Sequence, residues 1–179
     1  MDVHPEPNGS SPKGTIEILF DELCLRWVRE ADVVVQQSGA LPTTLVLLPR
    51  DRAADEVAIR LEGLRGNLVE RADAIVAELR PQTQEHEPAG LVLMLEARLD
   101  VDMLEARLDV GVVTPPETHS GHGSDGAVVY VTLGRAGLRR ALGYRLRRSA
   151  DGTVALVRLD TDPPLEHFTW LDALLHRVP

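Results

Sequence analysis

The sequence predicts a two-layer, single-domain α+β fold with one mostly antiparallel sheet and about three helices, and three observations carry that prediction. Segments 15–37 and 67–80 repeat apolar residues at three- and four-residue spacing, as helices buried on one side do. Around them lie short runs rich in Val, Ile, Leu and Thr, punctuated by Gly, Pro and Asp, as strands joined by hairpins are. A third apolar segment follows Asp162-Pro163, a helix-start signal. The resulting order is one helix, two strands, a helix, five strands and a last helix, which groups the helices against one sheet.

At 179 residues the chain fits one domain over 15–179, large enough for a core without metal or disulfide support. Residues 1–14, with Pro5, Pro7, Pro12 and the run Gly9-Ser10-Ser11, read as a disordered leader. Thr15 is the expected N-cap of the first helix. Ile16, Leu19, Phe20, Leu23, Trp27, Ala31 and Val34 form its expected buried stripe, and Ser38-Gly39 ends it. Segments 43–48 and 56–61 pair as a hairpin, the second alternating Val57, Ile59 and Leu61 on one face. Asn67 with Glu70 resembles a capping box that opens the second helix. Leu68, Ala72, Ile75, Val76 and Leu79 point inward, and Pro81 lies outside it.

Residues 91–113 hold a tandem repeat. Met-Leu-Glu-Ala-Arg-Leu-Asp-Val-Asp starts at Met94 and Met-Leu-Glu-Ala-Arg-Leu-Asp-Val-Gly at Met103. A nine-residue step turns a straight strand or helix by about half a revolution, so one continuous element would face its two copies in opposite directions. A reversal resolves this. A hairpin centred at Val101 and Asp102, its turn loosened to four residues because a β-branched residue resists positive φ, sets Leu99 against Leu104, Ala97 against Ala106 and Leu95 against Leu108. It also crosses Arg98 with Glu105 and Glu96 with Arg107, each opposite-charge pair contributing roughly 0.2–1 kcal/mol. The helix-forming Met, Leu, Glu, Ala and Arg leave a helix as the alternative. Next come a Gly-, Ser- and His-rich loop over 114–126 and an apolar strand over 127–133. A hairpin of 138–148 with 153–159 turns at Ala150-Asp151-Gly152, and a last helix is capped by Asp162, burying Phe168, Leu171, Leu174 and Leu175.

Composition narrows the function classes. The single cysteine, Cys24, excludes an internal disulfide and a cysteine-built zinc site, and its apolar helical setting reads as a buried, inert thiol. No apolar run is long enough to span a bilayer, and the first residues lack the basic start and apolar centre of a secretory signal. A cytoplasmic location with no membrane contact is the expectation. Lys13 is the lone lysine beside many arginines, a bias that fits GC-rich, bacterial coding. Net charge is −9, yet residues 126–160 carry seven arginines against Asp151 and Asp160, a local +5 against −14 elsewhere. Overall acidity argues against non-specific nucleic-acid binding, while the basic segment suits an anionic partner.

Of the motif-like strings, Gly121-His122-Gly123-Ser124-Asp125-Gly126 fits a dinucleotide-binding glycine pattern but is followed by a strand, where phosphate binding needs a helix N-terminus. His119 and His122, with Glu117 and Asp125, are the one set of metal-capable side chains, the two imidazoles three residues apart, a spacing that lets them share an ion on a helix or turn. A hydrolase built on that loop is the alternative function. On the strand 138–148, Leu142, Tyr144 and Leu146 share one face, and Arg139, Arg145 and Arg147 the other, with Arg148 adjoining. Guanidinium groups in a row could grip carboxylates or phosphates bidentately, or could pair with the chain's own acidic helices. Aromatic residues make up only 3% of the chain, which leaves little to stack single-stranded nucleic acid, so nucleic-acid or phosphate-ligand binding is the weaker alternative. Trp27 and Trp170 read as packing residues. Asp51, Asp55 and Glu56 read as loop charges. With no cofactor motif and no catalytic constellation, the sequence points to a protein-binding or adaptor domain, its partner another protein or a second copy, whose contact is guided by the arginine-rich hairpin.

Overall fold

The α+β class holds, and helical segments cover both faces of one antiparallel sheet. The computed structural model describes residues 14–51, 53–61, 66, 67, 69–100, 108–110, 123–134 and 136–176. In chain order the elements are helix α1 (Thr15–Ser38), strands β1 (Thr44–Leu48), β2 (Val57–Arg60) and β3 (Gly66–Asn67), and helix α2 (Ala72–His86). Strands β4 (Gly90–Asp100), β5 (Leu108–Val110), β6 (Gly123–Leu133), β7 (Leu138–Arg148) and β8 (Val154–Arg158) follow. The 3-10 turns Leu165–His167 and Thr169–Leu174 close the order. The sheet runs β2-β1-β4-β6-β7-β8, with β5 pairing both β4 and the short β3.

Side-chain alternation along these strands builds two cores. Leu45 and Leu47 of β1, Leu91, Leu93 and Leu95 of β4, Val128 and Tyr130 of β6 and Ala141 of β7 face Ile75, Val76 and Leu79 of α2. Phe168, Leu171 and Leu174 of the C-terminal turns join them. The intervening residues, among them Val46, Val92, Met94, Val129, Val131, Leu142, Tyr144 and Leu146, face α1. We call these the α2 face and the α1 face.

Helix α1 starts within a residue of expectation. Gly14 is its N-cap, and the Gly14 amide donates back to Glu17 Oε2 at 3.2 Å. Gly39, at φ 73°, closes it in the left-handed conformation that glycine adopts without a Cβ clash. The buried stripe, however, is Phe20, Cys24, Trp27, Ala31 and Val35, while Ile16 (61% exposed) and Leu19 (44%) lie outside it. Apolar residues occupy every side of this helix, so spacing alone did not select the seam. Small Cys24 and Ala31 let the backbone approach the sheet. Asp32, on the flank, accepts the Leu156 amide of edge strand β8 at 3.3 Å, occupying a donor that would otherwise be open to another strand.

Helix α2 departs from expectation at both ends. Asn67 lies in β3, the helix begins at Ala72, and it continues through Pro81 to His86. Pro81 supplies no amide for the Ala77 carbonyl. Both residues are exposed, so water can take that acceptor, while Leu79 and Thr83 hold the surrounding turns in the core. Leu68 lies outside the described residues.

The repeat does reverse into antiparallel strands, but in another register. Leu99 pairs with Leu108, Arg98 with Asp109 and Ala97 with Val110. Relative to the expected pairing, the second copy has moved so that equivalent leucines of the two copies meet. A tight Val101-Asp102 turn would need positive φ at a β-branched residue, which disfavours the expected register. Strand β3 also fixes β5, through Gly66 with Val110 and Asn67 with Asp109.

The C-terminal segment buries Phe168, Leu171 and Leu174 as expected, but in 3-10 turns instead of an α-helix. Those three residues recur at strict threes, which matches three residues per turn. Consecutive Pro163 and Pro164 keep the chain extended until Leu165. No helix among the described residues is long and apolar enough to cross a membrane.

Candidate contact surface

Strand β7 carries the arginine-rich segment with the predicted alternation. Leu142, Tyr144 and Leu146 are buried toward α1, and Arg139, Ala141, Gly143, Arg145 and Arg147 face the α2 side. The turn into β8 is held by Gly152 N–H donating to Ser149 O (3.0 Å) and Thr153 N–H donating to Asp151 Oδ1 (3.0 Å). The Thr153 amide holds the Asp151 carboxyl below its usual range by stabilising its anion.

Most guanidinium groups in this hairpin are committed to the chain itself. Arg139 pairs with Asp172 of the second 3-10 turn at 2.5 Å, which stabilises the guanidinium charge. Arg140 pairs with Asp21 of α1, also at 2.5 Å, and lies over the Phe20 ring. Arg148 donates to the Gly39 carbonyl at 3.0 Å, at the C-terminal end of α1, where a cation is favoured. Arg158 pairs with Asp162, donates to Gly143 O at 2.9 Å and lies over Tyr144. Asp162 is thereby a partner for β8 and accepts the Gly143 amide at 3.4 Å, in place of the helix-capping role expected of it.

Arg145 and Arg147 differ. Both are exposed, and among the described residues no carboxylate lies within 4 Å of either. The reason is where the cover on the α2 face stops. A Cβ at Gly143 would meet Pro163 Cδ at 2.9 Å and Leu159 Cδ1 at 3.0 Å, so the C-terminal segment presses directly on the strand there. Arg145 and Arg147 lie further along β7, beside β8 residues Val157 and Ala155 in the ladder, and Val157 is 44% exposed.

Tyr130 and Asp172 form a buried polar feature at the covered end of the same face. Tyr130 is fully buried and stacked on Phe168 with ring centroids 5.0 Å apart. Its hydroxyl lies near Thr132 and Arg139 without forming a hydrogen bond of good geometry, and Asp172 Oδ1 is likewise unpartnered. Burial, helped by the Asp172 charge, pushes the Tyr130 phenol up to about 12. On the opposite face, burial pushes the Cys24 thiol up to about 11, which keeps it protonated and unreactive near neutrality.

His119, His122 and Glu117 lie outside the described residues. Asp125 belongs to β6, opposite Arg98 in the ladder, so the glycine-rich string ends inside a strand. Among the described residues no group of three or more His, Cys, Asp or Glu side chains could hold a metal ion. Asp51 caps its own turn by accepting the Ala53 amide at 2.9 Å, and Glu56 pairs with Arg26. Trp27 is buried with its indole N–H unpaired, and half-buried Trp170 donates to the His167 carbonyl at 2.8 Å. Sequence reasoning did not anticipate which arginines would be neutralised, because the acidic partners are remote in the chain, Asp21 being 119 positions from Arg140. No protein-family model, no curated protein and no solved structure matches this chain.

Proposed function

We propose that this chain is a protein-binding domain without catalysis of its own, and that its contact surface is the open end of the α2 face around Arg145 and Arg147. The observation that carries this reading is the exposure of these two guanidinium groups without a carboxylate partner among the described residues, while Arg139, Arg140, Arg148 and Arg158 are engaged within the chain. Two residues along one strand face set them about 7 Å apart, a spacing that suits successive carboxylates of an acidic segment. The neighbouring Val157 offers apolar area next to the charge. Acidic protein is the favoured partner class over nucleic acid, given a net charge of −9 and 3% aromatic residues.

Immobilised wild-type protein, Arg145→Glu/Arg147→Glu and Arg139→Ala can be compared for what each retains from an extract of the source organism. Wild type and Arg139→Ala are expected to retain the same acidic protein, and the double variant to lose it. Equal retention by all three would overturn this surface assignment.

A further inference from the structure

We propose that the outer face of α1 docks on α1 of a second copy of this chain, antiparallel about a two-fold axis passing between Leu25 and Arg26. Five exposed residues define the face: Ile18, Glu22, Leu25, Arg29 and Val33. Their spacing of four, three, four and four places them within an arc of about 80°, directly opposite the buried seam of Phe20, Cys24, Trp27, Ala31 and Val35. Ile18, Leu25 and Val33 are 47%, 54% and 45% exposed, an apolar row left open by the described residues.

The two charges decide both the occupant and its direction. About the proposed axis, Glu22 of each copy faces Arg29 of the other, and Ile18 faces Val33. The two Leu25 side chains meet near the centre. With a rise of about 1.5 Å per residue, the paired charges lie about 5 Å to either side of the axis and the outer apolar pairs about 11 Å. A parallel arrangement would instead oppose Glu22 to Glu22 and Arg29 to Arg29. The pattern is therefore self-complementary in one orientation only, as an isologous contact requires. Neither residue has an ion pair within 4 Å among the described residues, so both charges are available. Arg26, which could interfere, is drawn aside by Glu56 and lies over Trp27, with its guanidinium carbon 4.8 Å from the ring centroid. A contact confined to one helix per copy belongs to the small interface class, below about 1,200 Å² in total, so association in the micromolar range is expected.

Sedimentation velocity of the full chain from about 5 to about 500 μM tests this. Wild type is expected to shift from monomer to dimer across that range, and Leu25→Asp to weaken the association at least about tenfold. Glu22→Arg and Arg29→Glu should each weaken it about threefold or more by opposing like charges. The combination Glu22→Arg/Arg29→Glu should bring it back to near wild type, since the charges exchange places. All these positions are exposed, and unchanged far-ultraviolet dichroism verifies folding. Arg145→Glu/Arg147→Glu should leave the dimer intact, which separates this face from the surface proposed above. A wild type that stays monomeric at the highest concentration overturns the proposal, whatever else covers α1. So does a dimer insensitive to Leu25→Asp, or one that the double charge exchange fails to restore.

Discussion

The two faces of the sheet solve the same problem with different material, and the difference sets which arginines remain open. On the α1 face a single helix of 24 residues covers the sheet, and its Asp21 and the Gly39 carbonyl at its end receive Arg140 and Arg148. On the α2 face the cover is composite, one 15-residue helix plus 3-10 turns, and the C-terminal segment presses on β7 at Gly143. Alternate residues of one strand therefore meet different fates. Arginines reached by the cover become part of the packing, and those beyond it stay in solvent.

The largest expected effect tests whether the composite cover is as tightly bound as the continuous one. Phe168→Ala should cost about 3–5 kcal/mol in denaturant unfolding, because Phe168 is fully buried against Tyr130 although it lies in no α-helix. A loss below about 1 kcal/mol would mean that the C-terminal turns are loosely attached.

Alkaline unfolding separates the faces chemically. The folded state keeps the Cys24 thiol protonated up to about 11, whereas the unfolded thiol ionises from 9.0, so stability should fall as pH rises from about 9 to about 11. Tyr130 adds a second decline from 10.0 to about 12. Each contributes on the order of 2 kcal/mol, fully present below the lower value of its pair. Unfolding midpoints measured against pH should lose the first decline in Cys24→Ala and show a smaller second decline in Tyr130→Phe, where Tyr144, also raised by burial, still contributes. Identical slopes in all three proteins would contradict the burial of these groups.

A smaller effect probes where the composite cover ends. Gly143→Ala would set a methyl group against Pro163 and Leu159 and should cost about 1–3 kcal/mol by thermal unfolding, with no change expected if that contact were open. The smallest effect compares the arginines directly. Arg139→Ala should cost up to about 1 kcal/mol through its pair with Asp172, and Arg145→Ala should stay within about 0.5 kcal/mol of wild type. Equal costs would mean that the two positions are not distinguished by the cover.

What the sequence made legible follows the reach of each signal. Alternation along β7 is local, and it placed Leu142, Tyr144 and Leu146 opposite Arg139, Arg145 and Arg147 as observed. The bounds of β1 and β2 came from equally local patterns. The register of β4 with β5 did not, because a repeat offers several leucine-matched pairings and Asn67 of β3, the second partner of β5, resembles a helix cap in sequence. The α1 seam escaped because spacing cannot weigh a small Cys24 against a larger Leu23. The open pair Arg145 and Arg147 could be named from sequence only together with Arg139 and Arg148, whose partners are set by tertiary packing.

The position of the repeat has a consequence for how the gene can vary in length. The first copy enters β4, between β1 and β6, and the second supplies β5 beyond the end of β1. Because the copies differ only in their last residue, excising either one leaves the same chain apart from Asp or Gly at that point. Gly90 to Leu93 would still lead the surviving copy into the central strand. Loss of one unit should therefore be read by the fold as removal of β5 alone, a contraction the central sheet tolerates, and gain of a unit would enlarge the connection between β4 and β5.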